Sequence, residues 1–150
     1  MDQSALRGNS PARIDDKGRL KIPNAFRAAI CDEHGRKVFI TSLTGESVLV
    51  YPLPVWIEIE RKVAQAPSTH PARLKFLDRV NFYGQEGEID PQGRLLIQPR
   101  LRESALMNGE VDVLGKYNVL EVWNHERFLA KMHREPFSND DALALAGFGI

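Results

Sequence analysis

The chain carries one short phrase twice. The first copy reads Ile14-Asp15-Asp16-Lys17-Gly18-Arg19-Leu20-Lys21-Ile22-Pro23. The second reads Ile89-Asp90-Pro91-Gln92-Gly93-Arg94-Leu95-Leu96-Ile97-Gln98-Pro99, with Asp90 standing 75 positions after Asp15. Arg27 and Arg102 match at the same offset, as do Val38-Phe39 and Val113-Leu114. Val48-Leu49-Val50-Tyr51 then matches Leu120-Glu121-Val122-Trp123, and Trp56 matches Phe128, with the offset shortened to 72. Length changes are cheapest in a turn between strands, so the missing residues belong there. A shared succession of turn, strand, helix, strand, strand and helix marks a duplication, and a duplicated unit must bury its apolar face against its twin.

Each copy has its own local logic. Asp15 to Gly18 is a turn, because Asp bonds backbone two residues on and Gly takes a positive φ. Residues 19–22 alternate, with Leu20 and Ile22 on one face and Arg19 and Lys21 on the other, which predicts a half-buried strand with a basic outer side. Pro23 opens a short helix over 24–30, with Phe26 and Ile30 inward. Strands are predicted at 37–41 and 47–51, then a helix over 54–66 with Trp56, Ile59 and Val63 on one stripe. The second copy predicts a turn at 90–93, a strand at 94–97, a helix over 99–106, and strands at 111–114 and 119–123. A last helix, capped by Asn124, carries Phe128, Leu129 and Met132. A linking helix over 71–83 and a short one over 139–146 complete the chain. The organisation read from these signals is a first repeat at 1–68, a linking helix at 69–84, a second repeat at 85–134 and a tail at 135–150.

Composition narrows the function. The chain has 150 residues, 43% hydrophobic and 27% charged, enough for a core, though two units of about 75 residues would each be marginal alone. A single cysteine, Cys31, excludes an internal disulfide and suits a reducing compartment. There is no apolar run of membrane-spanning length and no leader-like start, so the expected location is the cytoplasm, with no membrane partner. Net charge is zero, but residues 7–30 hold six basic groups (Arg7, Arg13, Lys17, Arg19, Lys21 and Arg27) against Asp15 and Asp16. Residues 135–150 hold three acids and no Lys or Arg. One basic face can hold phosphate even on a neutral protein. His34, His70, His125 and His133 are scattered, and no phosphate loop, nucleophile elbow or zinc motif is present. No catalytic residue, metal site or cofactor is expected.

Both copies set an acid and an arginine four residues apart across a glycine turn, Asp15 with Arg19 and Asp90 with Arg94. A carboxylate beside a guanidinium can orient it, and a held guanidinium suits phosphate or a guanine edge. Lys17 and Lys21 would add phosphate attraction. The second copy has Gln92 and Leu96 at those places, so the first should be the more electropositive.

These motifs resemble the MraZ family of bacterial transcriptional regulators. The resemblance rests on Leu6-Arg7-Gly8-Asn9, on both Asp-x-x-x-Arg motifs, on Ile22-Pro23 with Phe26-Arg27, on Tyr51-Pro52 with Trp56, and on Glu121-Val122-Trp123. It spans roughly residues 6–134. It implies an α+β fold, a tandem-duplicated swapped-hairpin (AbrB-like) β-barrel with flanking helices. It implies a homo-oligomeric ring on the scale of an octamer, nucleoid-associated. The implied partner is double-stranded DNA, in repeated promoter boxes upstream of the division and cell-wall gene cluster. Carried onto this chain, Arg19 and Arg94 face DNA, Asp15 and Asp90 support them, and Arg7, Arg13, Lys17 and Lys21 add basic contacts. An antitoxin-like module that binds both protein and DNA is the alternative, since single copies of the motif occur in the AbrB and MazE-like superfamily. The family usually has phenylalanine where Leu6 stands, and Gln98 interrupts the second Ile-Pro pair.

Overall fold

A computed structural model describes residues 5–150; the first four residues, the head of the first repeat, lie outside the described residues. The elements are β1 (Leu6–Ile14), β2 (Arg19–Lys21), α1 (Asn24–His34), β3 (Lys37–Thr41), β4 (Val48–Pro52), α2 (Leu53–Val63), α3 (Pro71–Phe82) and β5 (Gln85–Glu88). They continue with β6 (Arg94–Leu96), α4 (Pro99–Ser104), β7 (Gly109–Tyr117), β8 (Leu120–Asn124), α5 (His125–Arg134) and α6 (Asn139–Ala146). The eight strands form one antiparallel sheet in the order β5-β3-β4-β8-β7-β1-β2-β6.

That order exchanges strands between the two copies. β1 of the first copy pairs along its whole length with β7 of the second, from Leu6↔Tyr117 to Ile14↔Gly109. β5 of the second pairs with β3 of the first, and β2 pairs with β6, as β4 does with β8. The outcome is the α+β swapped-hairpin barrel, closed except at the seam between β5 and β6. Gln98, the residue by which the second motif is longer, serves that seam. Its backbone N–H donates to Gln85 Oε1 at 2.9 Å and its side-chain amide donates to the Tyr83 carbonyl at 2.7 Å. Gln85 Nε2 in turn donates to the Leu96 carbonyl at 3.3 Å.

The barrel interior is built from the matched residues of the repeat. Ile14 and Ile89, Leu20 and Leu95, Ile22 and Ile97, Phe26 and Leu101, Val38 and Val113, Val48 and Leu120, and Val50 and Val122 are all buried. Neither half could bury these side chains alone, because each set needs the facing set to exclude water.

Two strands depart from the sequence reading. β1 and β5 carry few β-branched residues; β5 is Gln-Glu-Gly-Glu. Their extended form comes from ladder partners in the other copy, which override local propensity. β7 likewise runs longer than expected because β1 pairs with all nine of its residues. α1 runs on to His34 and ends at Gly35, whose φ of 87° lets the chain turn away.

One polar contact ties the wall to α5. Asp112 on β7 is buried, accepts from Asn9 Nδ2 at 3.1 Å, and faces His125 Nδ1 at 2.8 Å. Bonding to Asp112 raises the His125 pKa above its ordinary value of 6.5. The folded state thus favours the imidazolium, so this stabilisation is complete below the unfolded pKa and is lost as pH rises through the higher folded one. The wild-type melting temperature is expected to fall relative to that of His125→Gln as pH is raised from about 6 to about 8. Parallel pH curves for the two proteins would remove the pair from the stability account.

Candidate nucleic-acid interface

The two Asp-x-x-x-Arg turns have the same construction. In the first, Asp15 Oδ1 accepts from the backbone N–H of Lys17 at 3.0 Å and of Arg19 at 2.9 Å, while Oδ2 accepts from Arg19 Nε at 2.9 Å. In the second, Asp90 Oδ1 accepts from Gln92 at 2.9 Å and Arg94 at 2.8 Å, and Oδ2 from Arg94 Nε at 3.2 Å. The backbone N–H of Arg19, and then its guanidinium, hold the Asp15 carboxyl below its usual pKa, and Arg94 does the same for Asp90. Both carboxylates therefore stay ionised at neutral pH. Each ion pair uses the arginine Nε edge. Among the described residues no partner takes the Nη edge, which is the edge a phosphate or guanine would meet.

The fold brings the two turns together. In the β2–β6 ladder Leu20 opposes Leu95 inside the barrel, Arg19 opposes Leu96, and Lys21 opposes Arg94. Residues opposed in an antiparallel pair share a face. Arg19, Lys21 and Arg94 therefore stand on one outer surface of a two-stranded ribbon, with the arginine side chains 35% and 36% exposed. Neither is sealed inside the chain. Lys17 is exposed at the tip of the first turn. Arg13 precedes the Ile14↔Leu20 pair as Lys21 follows it, so it joins the same outer face next to Lys21. Arg7 does not join this group. It lies at the far end of β1, about 20 Å from Arg13 at the strand rise, opposite Lys116.

This geometry alters one expectation. The lysine asymmetry between the copies is softened, because Lys21 of the first copy lies across the ladder from Arg94 of the second. Lys21 Nζ also donates to the Gln92 carbonyl in the second turn. Like charges placed opposite each other cost a ladder stability, and a polyanion laid on the ribbon would relieve that cost.

Two further arginines hold the turns. Arg27 Nη2 donates to the Pro91 carbonyl at 2.5 Å, and its side chain lies over Gly93. Arg102 lies over Gly18 by packing alone, its buried Nε without a hydrogen-bond partner among the described residues, and so close that a Cβ on Gly18 would stand 2.5 Å from its guanidinium carbon. Both glycines have positive φ, 85° and 80°. The backbones cross as well: Ile22 N–H donates to the Gly93 carbonyl at 2.8 Å, and Ile97 N–H to the Gly18 carbonyl at 2.9 Å. Each copy thus clamps the other's turn. The match of Arg27 with Arg102 was the signal in the sequence for this clamp, but only the exchange of strands gives it meaning.

The chain is similar in sequence to known proteins. The family model described as "MraZ protein, putative antitoxin-like" matches residues 5–79 and 84–147. A protein of Acidobacterium capsulatum named transcriptional regulator MraZ is 49% identical over 97% of this chain and 99% of its own length. One of the same name from Koribacter versatilis is 43% identical over the same shares. Another, from Pseudoalteromonas atlantica, is 31% identical over 91% of each chain. Among the described residues, no helix is long and apolar enough to cross a membrane. With both family matches falling on the two exchanged halves of the barrel, this chain belongs to the MraZ family.

Proposed function

We propose that this chain is a sequence-specific DNA-binding transcriptional regulator that works as a homo-oligomeric ring in the cytoplasm, on the nucleoid. Its target is double-stranded DNA carrying repeated boxes upstream of the division and cell-wall gene cluster. The observation that carries this reading is the register Arg19↔Leu96 and Lys21↔Arg94, which collects both copies' cations on one outer ribbon. The relatives' name, transcriptional regulator, supports it from outside the chain.

The mechanism follows from the geometry. The major groove of B-form DNA admits a two-stranded β-ribbon. Asp15 and Asp90 hold the guanidiniums by their Nε edge, so the Nη forks lose little freedom on meeting a guanine edge or a phosphate. Lys17 and Arg13 flank the ribbon where phosphates would run. One ribbon makes few contacts and binds weakly. A ring of identical chains meets several boxes at once, and each later contact is intramolecular.

Footprinting the full chain on DNA upstream of its own gene is the direct test. Evenly spaced protected boxes are expected; a uniform, sequence-independent pattern would overturn the reading. In gel-shift titrations Arg94→Ala should weaken binding to the same order as Arg19→Ala, about 5-fold to 150-fold per ribbon. A much smaller effect at Arg94 would mean that Lys21 does not serve both arginines.

A further inference from the structure

The pseudo-symmetry that organises the barrel fails at one place outside it. In the first copy, α2 lays Trp56 on Phe39 with ring centroids 4.7 Å apart. α3, next in the chain, then covers Trp56 from the far side with Phe76 at 6.2 Å. α3 is tied down by Thr41 Oγ1 donating to the Val80 carbonyl at 2.7 Å and by Arg73 Nη1 donating to the Ala66 carbonyl at 2.6 Å. In the second copy, α5 lays Phe128 against Trp123 at 5.9 Å, as α2 lays Trp56 against Tyr51. The outer stripe of α5 is not covered: Leu129 is 48% and Met132 58% exposed. α6 follows α5 as α3 follows α2, yet it makes no comparable seat on its own chain. Leu143 is 72%, Phe148 82% and Ile150 80% exposed.

α6 is a prepared helix all the same. Ser138 and Asp141 form a reciprocal capping box at its start. Eight residues are too few to hold a helix in water without a surface to pack on. The charges of the two bare surfaces are complementary. α5 and the residue after it carry Arg127, Lys131 and Arg134 against Glu126 and Glu135, with Glu135 pairing Lys131 and Arg134, which leaves a net positive surface, whereas residues 136–150 carry Asp140 and Asp141 and no Lys or Arg.

We infer that α6 and the residues after it dock on the α5 stripe of a second copy of this chain. The two patches differ, so the contact is head-to-tail, and a head-to-tail contact that closes on itself makes a ring. The inference rests on the ring reading above and names its joint. Leu143 and Phe148 bury Leu129 and Met132, and Asp140 and Asp141 approach the net positive side of α5, where they share Lys131 and Arg134 with Glu135.

Light scattering on full chains altered in one patch tests it. Wild type should show a multiple of 16.9 kDa. Leu129→Asp, which spoils the seat, and Leu143→Asp paired with Phe148→Asp, which spoils the plug, should each drop to the 16.9 kDa species with unchanged circular dichroism. Mixing the two should restore a dimer of twice that mass, because one sound seat then meets one sound plug. Variants that keep the wild-type mass would overturn the inference and leave the ring standing, as would variants that keep the mass but melt earlier, which would place α6 on its own α5. A wild-type chain that is monomeric at micromolar concentration would overturn the ring reading itself. Wild-type mass together with variants that lose assembly but fail to complement would also overturn the head-to-tail contact.

Discussion

On the DNA-binding reading proposed above, an Arg19→Ala chain is expected to melt with the wild type and to lose most of its affinity for box DNA. The change removes one guanidinium that the Asp15 turn presents from the ribbon face. The fold should not notice, because Asp15 still accepts the backbone N–H groups of residues 17 and 19, which set the turn. An ion pair this exposed to solvent contributes little to stability. A lost base or phosphate contact, by contrast, costs about 1–3 kcal/mol in binding. In a ring that engages two boxes the loss counts twice, which takes it to the order of 2–6 kcal/mol. The salt dependence should also flatten by about one counterion for each engaged ribbon if Arg19 meets phosphate, and stay put if it meets a base. Unchanged affinity in a folded mutant would remove Arg19 from the interface.

Trp56→Ala should do the opposite, sparing recognition while undermining the fold. Trp56 is 4% exposed and lies between Phe39 and Phe76, with Tyr51 tilted against it at 5.0 Å. Truncating such a residue costs about 3–5 kcal/mol through lost burial and the cavity left behind. That is a large part of the roughly 5–15 kcal/mol that holds an ordinary domain folded. α2 packs by β3 and β4, while the ribbon is β2 and β6, and neither ribbon strand pairs with β3 or β4. Affinity per folded molecule should therefore be unchanged. Urea denaturation would show the midpoint fall, and titration of the folded fraction would show the same dissociation constant. A stable mutant with selectively weakened DNA binding would move the interface to the α2 side.

The placement of the two site arginines shows how far residue patterns reach. Asp15 with Arg19 and Asp90 with Arg94 were visible as pairs because an Asx turn closed by glycine is a local object, set within five residues. That they belong to one surface was not visible. They are 75 positions apart, and only the β2–β6 register makes them neighbours. Arg7 shows the converse. It counts among the basic residues of the same segment, yet β1 carries it to the far end of the wall. Arg27 and Arg102 match in sequence, but only the exchange of strands seats each over the glycine of the opposite turn, Arg27 on Gly93 and Arg102 on Gly18.

The amino-acid order by itself determined the duplication, the two glycine turns, the inward faces of the strands and the helices that flank them. These follow from alternation, turn chemistry and capping, which act between residues a few positions apart. The tertiary structure decided which strands lie side by side. It drew β1 and β5, whose residues have little strand preference, into the barrel by pairing them with the other copy. It also laid two distant turns edge to edge. Backbone hydrogen bonds between strands carry no residue code, so partner choice is settled by which arrangement buries both apolar faces at once, and that is a property of the whole chain.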